Sequence, residues 1–125
     1  WGTGLPKREF LYVDDLAEAS AFVLENVSIE NNLLYDKKKI FNGVLNVGIG
    51  LDISIKELAN LIASIVGYKG QIIWDESKPD GTPRKLLDVS KLNYLGWEAK
   101  TSLKDGIKLT LDNYIQGLED NSIRI

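Results

Sequence analysis

The chain has 125 residues, 44% of them hydrophobic and 26% charged, and carries a net charge of −3 at neutral pH. That length supports a domain with a modest core, the acidic balance argues against broad nucleic-acid binding, and the apolar runs are too short to span a bilayer. Cysteine and histidine are both absent, which removes the usual zinc sites, a thiol nucleophile and a histidine general base, and leaves nothing that points to an oxidising compartment.

Residues 1–8 read as a loop, by Gly2, Gly4 and Pro6. Gly2-x-Gly4 has the look of a dinucleotide fingerprint, but Lys7 stands where the third glycine belongs. Residues 10–13 form a short β-prone run. Asp14 or Asp15 then caps a helix, because a side-chain oxygen can take an orphan amide. Leu16, Ser20, Val23, Leu24 and Val27 fall on one face of it. Residues 28–43 are polar and irregular, a surface excursion. They include Tyr35-x-x-x-Lys39, the spacing of a reductase Tyr/Lys pair. That pair needs a long helix to bring both side chains to one face, and this segment lacks helical apolar periodicity.

Residues 44–47 read as a buried strand. Gly48-x-Gly50 follows it, but Ile53 replaces a third glycine, and Ser54-x-x-Glu57 is instead a capping box for a helix. Ile55, Leu58, Ala59, Ile62 and Val66 make that helix's apolar stripe, and Gly67 stops it. Residues 71–75 read as another strand. The stretch 77–88 then holds Pro79-Asp80-Gly81, with turn chemistry, and Pro83, which stiffens the segment. Such a loop can hold Asp80, Arg84 and Lys85 in fixed places; its plainer reading is a proline-rich surface turn. Leu86 and Leu87 re-enter the core. A short helix from Asp88 or Ser90 through Leu95 ends at Gly96, with Trp97 packed beside it. Ser102 caps the last helix, whose face is Leu103, Ile107, Leu111, Tyr114, Ile115 and Leu118. Gly106 and Gly117 weaken it by roughly 1 kcal/mol each relative to alanine, and residues 121–125 form a frayed tail.

Several of these stretches carry a resemblance. Arg8-Glu9-Phe10-x-x-Val13-x-Asp15-x-Ala17 and Asn46-Val47-Gly48-x-Gly50 resemble the C-terminal part of extended short-chain dehydrogenases that handle nucleotide sugars. Trp74-Asp75-x-Ser77-Lys78-Pro79-Asp80-Gly81-Thr82-Pro83-Arg84-Lys85-Leu86-Leu87-Asp88 is a narrower match. Together with Trp1-Gly2-Thr3-Gly4, Val66-Gly67-Tyr68-Lys69-Gly70 and Leu95-Gly96-Trp97, it resembles the GDP-L-fucose synthase family. The match runs through nearly the whole chain in order and departs at residues 28–43, which are longer and richer in lysine.

The resemblance implies an α/β fold: the C-terminal, substrate-binding part of an extended short-chain reductase with a Rossmann-like parent, here short strands with three or four helices. Residues 1–125 are expected to be a single fragment, the more so as the chain starts at Trp1 and has no methionine. The NADP-binding domain and the family's catalytic residues would lie upstream, so no catalytic, cofactor-binding or metal-binding residue is expected within the chain. The family epimerises GDP-4-keto-6-deoxy-D-mannose at two carbons and reduces the ketone with NADPH. The implied partner is a GDP-sugar, with no nucleic acid and no membrane, in a cytoplasmic homodimeric parent. The positions that map to substrate binding are Trp1, Arg8 and Asp80, with Arg84 and Lys85 behind them. Their chemistry suits the roles. Arg8 can meet a diphosphate with a charge-assisted fork, or pair with Glu9 or Asp14. Trp1 offers a flat face to a base or sugar, or is a hydrophobic plug. Asp80 can accept from ribose hydroxyls or guanine nitrogens, or simply form the turn. The competing readings are a sister nucleotide-sugar epimerase or dehydratase, and a non-catalytic nucleotide-binding module.

Overall fold

The computed structural model describes residues 1–122. In chain order the elements are β1 (Lys7–Arg8), α1 (Val13–Asn26), a 3₁₀ turn (Asn32–Leu34), β2 (Ile53–Ser54), α2 (Ile55–Ile65), β3 (Arg84–Lys85), α3 (Ser90–Tyr94) and α4 (Leu103–Glu119). They fall into two compact units. Among the described residues, the first holds Trp1–Arg8, Ile53–Lys85 and residues 101–122; the second holds Glu9–Asp52 and Leu86–Lys100.

The first unit is built on a three-stranded sheet of order β2-β1-β3. β1 pairs antiparallel with β2, Lys7 opposite Ser54, and parallel with β3, Lys7 opposite Arg84. α2 starts directly from β2 because Ser54 and Glu57 form the expected capping box. The Glu57 carboxylate accepts from the Ser54 amide (2.9 Å) and hydroxyl (2.6 Å). Those two bonds, the hydroxyl's first, hold the Glu57 carboxyl below the usual carboxylate range. Gly67 follows the helix at φ 70°, a conformation that costs any other residue more. α4 is capped by Ser102, whose hydroxyl accepts from the Asp105 amide (3.1 Å). Its buried positions are Gly106 and Gly117. The residues that lower its helix propensity are therefore the ones that allow close packing, while Tyr114 and Ile115 of the expected apolar face stand about half exposed. α2 packs on α4, but none of its residues is fully buried. Its stripe is covered less than a core-packing helix requires.

The second unit has a small core of Ala19, Leu92 and Trp97, with Leu11, Phe22, Val23, Val47, Leu95 and Ala99 packed against it. Gly96 ends α3 at φ 101° and Trp97 packs where the sequence places it. α1 departs from expectation. Its N-cap is Tyr12, which makes no side-chain cap bond; Asp14 and Asp15 lie two and three positions later, in the first turn. There their charge suits the positive end of the helix dipole. Asp15 and Ala19 are its buried positions, one turn apart, and Leu24 of the expected stripe is 87% exposed.

Three expected strands are not strands. Residues 10–13, 44–47 and 71–75 are irregular or begin α1, with Val44 58% and Ile73 80% exposed. A strand needs a ladder of bonds to a neighbour's amides and carbonyls, and among the described residues these segments join no such ladder; a bond from the Gly2 amide to the Asp75 carbonyl reaches the end of the last one. Leu86 and Leu87 likewise stay more than a third exposed and do not re-enter a core. The 28–43 excursion is a surface feature, as expected. The Asp36 carboxylate accepts from the Lys38 and Ile40 amides, and Tyr35 bridges Phe41. Lys39 has φ 59°, so Tyr35 and Lys39 do not share a helix. Residues 123–125 of the expected frayed tail lie outside the described residues.

Candidate substrate-binding site

β1 and the loop before β3 bring the expected site residues of the first unit together. Arg8 leaves β1 and its Nη1 donates to the carbonyl oxygens of Lys7 (2.6 Å) and Thr82 (2.7 Å). The Lys7 amide donates to Pro83 (2.8 Å). The loop that ends at β3 is thus held at its base by backbone and guanidinium alike, and Arg8 has two carbonyls where the sequence offered Glu9 or Asp14.

The tip of the loop is held by a second contact. Asp80 accepts from the Thr3 amide at Oδ1 (2.9 Å) and from the Thr3 hydroxyl at Oδ2 (2.7 Å). These bonds, the hydroxyl's first, hold the Asp80 carboxyl below its ordinary range. The charged form is the bonded one, so the contact is present at neutral pH and is lost only as pH falls through that lowered value. The Gly2 amide donates to the Asp75 carbonyl (2.9 Å), and a Cβ at Gly2 would collide with the Asp80 carboxylate. Glycine is required there for the approach.

Trp1 is 85% exposed. The Lys78 Nζ lies 6.0 Å from the centroid of its ring, a cation–π distance. It is an open aromatic face and not a hydrophobic plug. Arg84 and Lys85 form β3 itself, and both are exposed. Thr3, Lys78 and Thr82 were not singled out from sequence. The signal that could have found Thr3 is the pair of glycines around it, which lets a partner come close to the backbone.

Glu9 belongs to the second unit and has a structural part of its own. Its carboxylate accepts from the Gly50 amide at Oε1 (2.6 Å) and the Leu87 amide at Oε2 (2.9 Å), and a Cβ at Gly48 would strike it. Glu9→Gln places an amide N–H₂ against one of these donors, so it is expected to destabilise the protein by about 1.5–3 kcal/mol, the range for hydrogen bonds to a charged group. Urea unfolding of the full-length protein measures this.

The same glycines decide whether the chain could hold a dinucleotide. A fingerprint loop needs its glycine faces open to a pyrophosphate. Gly2 faces the Asp80 carboxylate, Gly4 the Trp74 ring and Gly48 the Glu9 carboxylate. Neither Gly-x-Gly pair fits the cofactor. Among the described residues there is no cluster of metal-ligating side chains, and no helix is long and apolar enough to cross a membrane.

Residues 1–48 match the NAD dependent epimerase/dehydratase family. GDP-L-fucose synthase 1 of Arabidopsis thaliana is 47% identical over 119 residues, 94% of this chain and 33% of that protein. GDP-L-fucose synthase of Escherichia coli (strain K12) is 47% identical over 116 residues, 93% of this chain and 35% of that protein. The GDP-mannoheptose C4 reductase MlghC of Campylobacter jejuni, solved with NADP bound, superimposes with a TM-score of 0.78 at 40% identity, over 92% of this chain and 33% of that one.

The chain is similar in sequence and fold to the C-terminal part of extended short-chain dehydrogenase/reductases. Within them it aligns with the C-terminal third of the GDP-L-fucose synthases and spans about a third of their length. The α/β character and the short strands with four helices agree with that part of the superfamily's fold.

Proposed function

We propose that this chain is the GDP-sugar-binding portion of an NADP-dependent epimerase/reductase that makes GDP-L-fucose from GDP-4-keto-6-deoxy-D-mannose. The observation that carries the reading is the convergence of Trp1, Arg8 and Asp80 on one loop system in the first unit, in a chain so similar to GDP-L-fucose synthases. Trp1 offers its open face to the base or sugar. Arg8, with Nη1 given to two carbonyls, meets the diphosphate along its Nε–Nη2 edge. Each Asp80 oxygen accepts once from Thr3 and keeps a second acceptor position for guanine or ribose. Arg84 and Lys85 add positive charge beside the loop.

NADP and the hydride chemistry belong to residues outside this chain, in an upstream Rossmann domain. The second unit supports this. An open apolar groove of about 540 Å³ is lined there by Val23, Leu24, Val27, Ile29, Leu45 and Val47, among others, as expected of a surface that a further domain covers. We place the enzyme in the cytoplasm as a homodimer. The test is NADPH oxidation with GDP-4-keto-6-deoxy-D-mannose. The full-length protein should turn it over and residues 1–125 alone should not; turnover by the short chain would overturn the assignment of the chemistry.

A second reading keeps GDP and changes the sugar, because the similarity to a GDP-mannoheptose C4 reductase is nearly as high. Turnover of a GDP-4-keto-heptose in preference to the 6-deoxy sugar would favour it. Asp80 tests the nucleotide. Asp80 is an acceptor only when ionised, and guanine presents donor nitrogens that uracil largely lacks. Asp80→Ala should therefore weaken GDP more than UDP in competition binding. Equal weakening would assign Asp80 to the ribose.

A further inference from the structure

We infer that Thr3 is a positioning residue for the nucleotide site: its amide and hydroxyl together fix the Asp80 carboxylate, and through it the tip of the 77–83 loop, in the orientation that receives the nucleotide. The inference rests on the reading of Asp80 as a ligand contact and deepens it.

The geometry is specific. Thr3 gives one donor to each carboxylate oxygen, at 2.9 Å from its amide and 2.7 Å from its hydroxyl. A carboxylate bound at one oxygen can still rotate about its terminal torsion, which is broad. Bound at both, it is fixed in plane, and its two remaining acceptor positions point in defined directions. The Thr3 hydroxyl is itself oriented, because its oxygen accepts from the Leu5 amide (3.2 Å) and so turns its hydrogen toward Asp80. Gly2 admits the carboxylate where any side chain would exclude it, and its amide ties the same segment to Asp75 (2.9 Å). The loop's other anchor, Arg8 on Thr82 (2.7 Å), lies at the base, so it leaves the tip to Thr3. The lowered Asp80 carboxyl, with the Thr3 hydroxyl as its first cause, agrees with a contact made to the ionised form.

A ligand contact held in advance loses less freedom on binding. Thr3 should therefore act on affinity while touching no ligand atom itself. Calorimetry with GDP on the full-length protein tests this with three variants. Thr3→Val keeps the shape and the backbone amide and removes the hydroxyl; it should weaken GDP about 3–10-fold, a factor set by the torsional freedom returned to one side chain and one loop tip. Thr3→Ser restores the hydroxyl and should bind within about twofold of wild type. In an Asp80→Ala background, Thr3→Val should have no further effect, because a residue that acts through Asp80 has nothing left to position. A merely structural threonine would lower Tm while leaving the nucleotide coupling at zero. Unchanged GDP affinity in Thr3→Val, failure of Thr3→Ser to restore it, or additive losses in the double variant would each overturn the inference and leave the reading of the site standing. A wild-type protein that does not bind GDP would overturn both.

Discussion

Leu92→Ala is expected to destabilise the protein by about 2–5 kcal/mol, the range for removing a fully buried leucine. Leu92 has no exposed surface, and it sits with Ala19 and Trp97 in the core of the second unit. The cost within the range is set by how far the partly buried neighbours, Leu11, Phe22, Val23, Val47, Leu95 and Ala99, collapse into the space, since it rises with the cavity that remains. Leu92→Ile keeps the volume and should cost less than about 1.5 kcal/mol. The checking measurement is the urea midpoint of the full-length protein, at constant slope. A shift in Leu92→Ala no greater than in Leu92→Ile would mean that the unit does not depend on this packing.

The parts of the fold that were legible in sequence are those specified by neighbouring residues. Ser54 with Glu57, Ser102 before α4, and Gly67 and Gly96 after their helices each satisfy backbone groups within a few positions, so their chemistry is written locally. The expected strands at residues 44–47 and 71–75 failed for the opposite reason. A run such as Val-Leu-Asn-Val states that a segment suits a sheet, but not that a partner strand stands beside it. On α1 the small residues leave room for close packing, as Ala19 does against the core and Val23 of the expected stripe packs beside it, while Leu16 and Leu24 of that stripe stay exposed. The site divides in the same way. Arg8 and Asp80 could be singled out by residue type and by resemblance. Thr3, 77 positions from Asp80, could not, since nothing local to either residue names the other. Glu9 was visible as a motif letter, yet its bonds to Gly50 and Leu87 are set by the tertiary fold.

Arg8→Ala is expected to weaken GDP binding by about 1.5–3 kcal/mol, the range for hydrogen bonds to a charged group. The side chain has two tasks, and a simple loss of affinity would not separate them. One is to hold the loop, through Nη1 and the Thr82 carbonyl (2.7 Å). The other, under the proposed function, is to meet the diphosphate. Guanosine separates them, because it contains the base and ribose but no phosphate. If Arg8 binds the diphosphate, the loss should fall on GDP and largely spare guanosine. If it only holds the loop, both ligands should weaken alike, because the base-facing side of the site would loosen with it. Arg8→Lys sharpens the comparison. An ammonium is a point charge with no planar fork, so it can sit near a phosphate or donate to Thr82 but cannot keep the present pair of carbonyls and the phosphate together. It should recover part of the GDP affinity and none of the guanidinium's geometry. The phosphate part of the loss should also shrink with added salt, as screening weakens the charge pair, whereas the bond to a neutral carbonyl should be far less sensitive. Titration of GDP and guanosine into wild type, Arg8→Ala and Arg8→Lys at two salt concentrations decides the matter. Equal losses for the two ligands, unchanged by salt, would remove Arg8 from the diphosphate and leave it as the fastener of the loop.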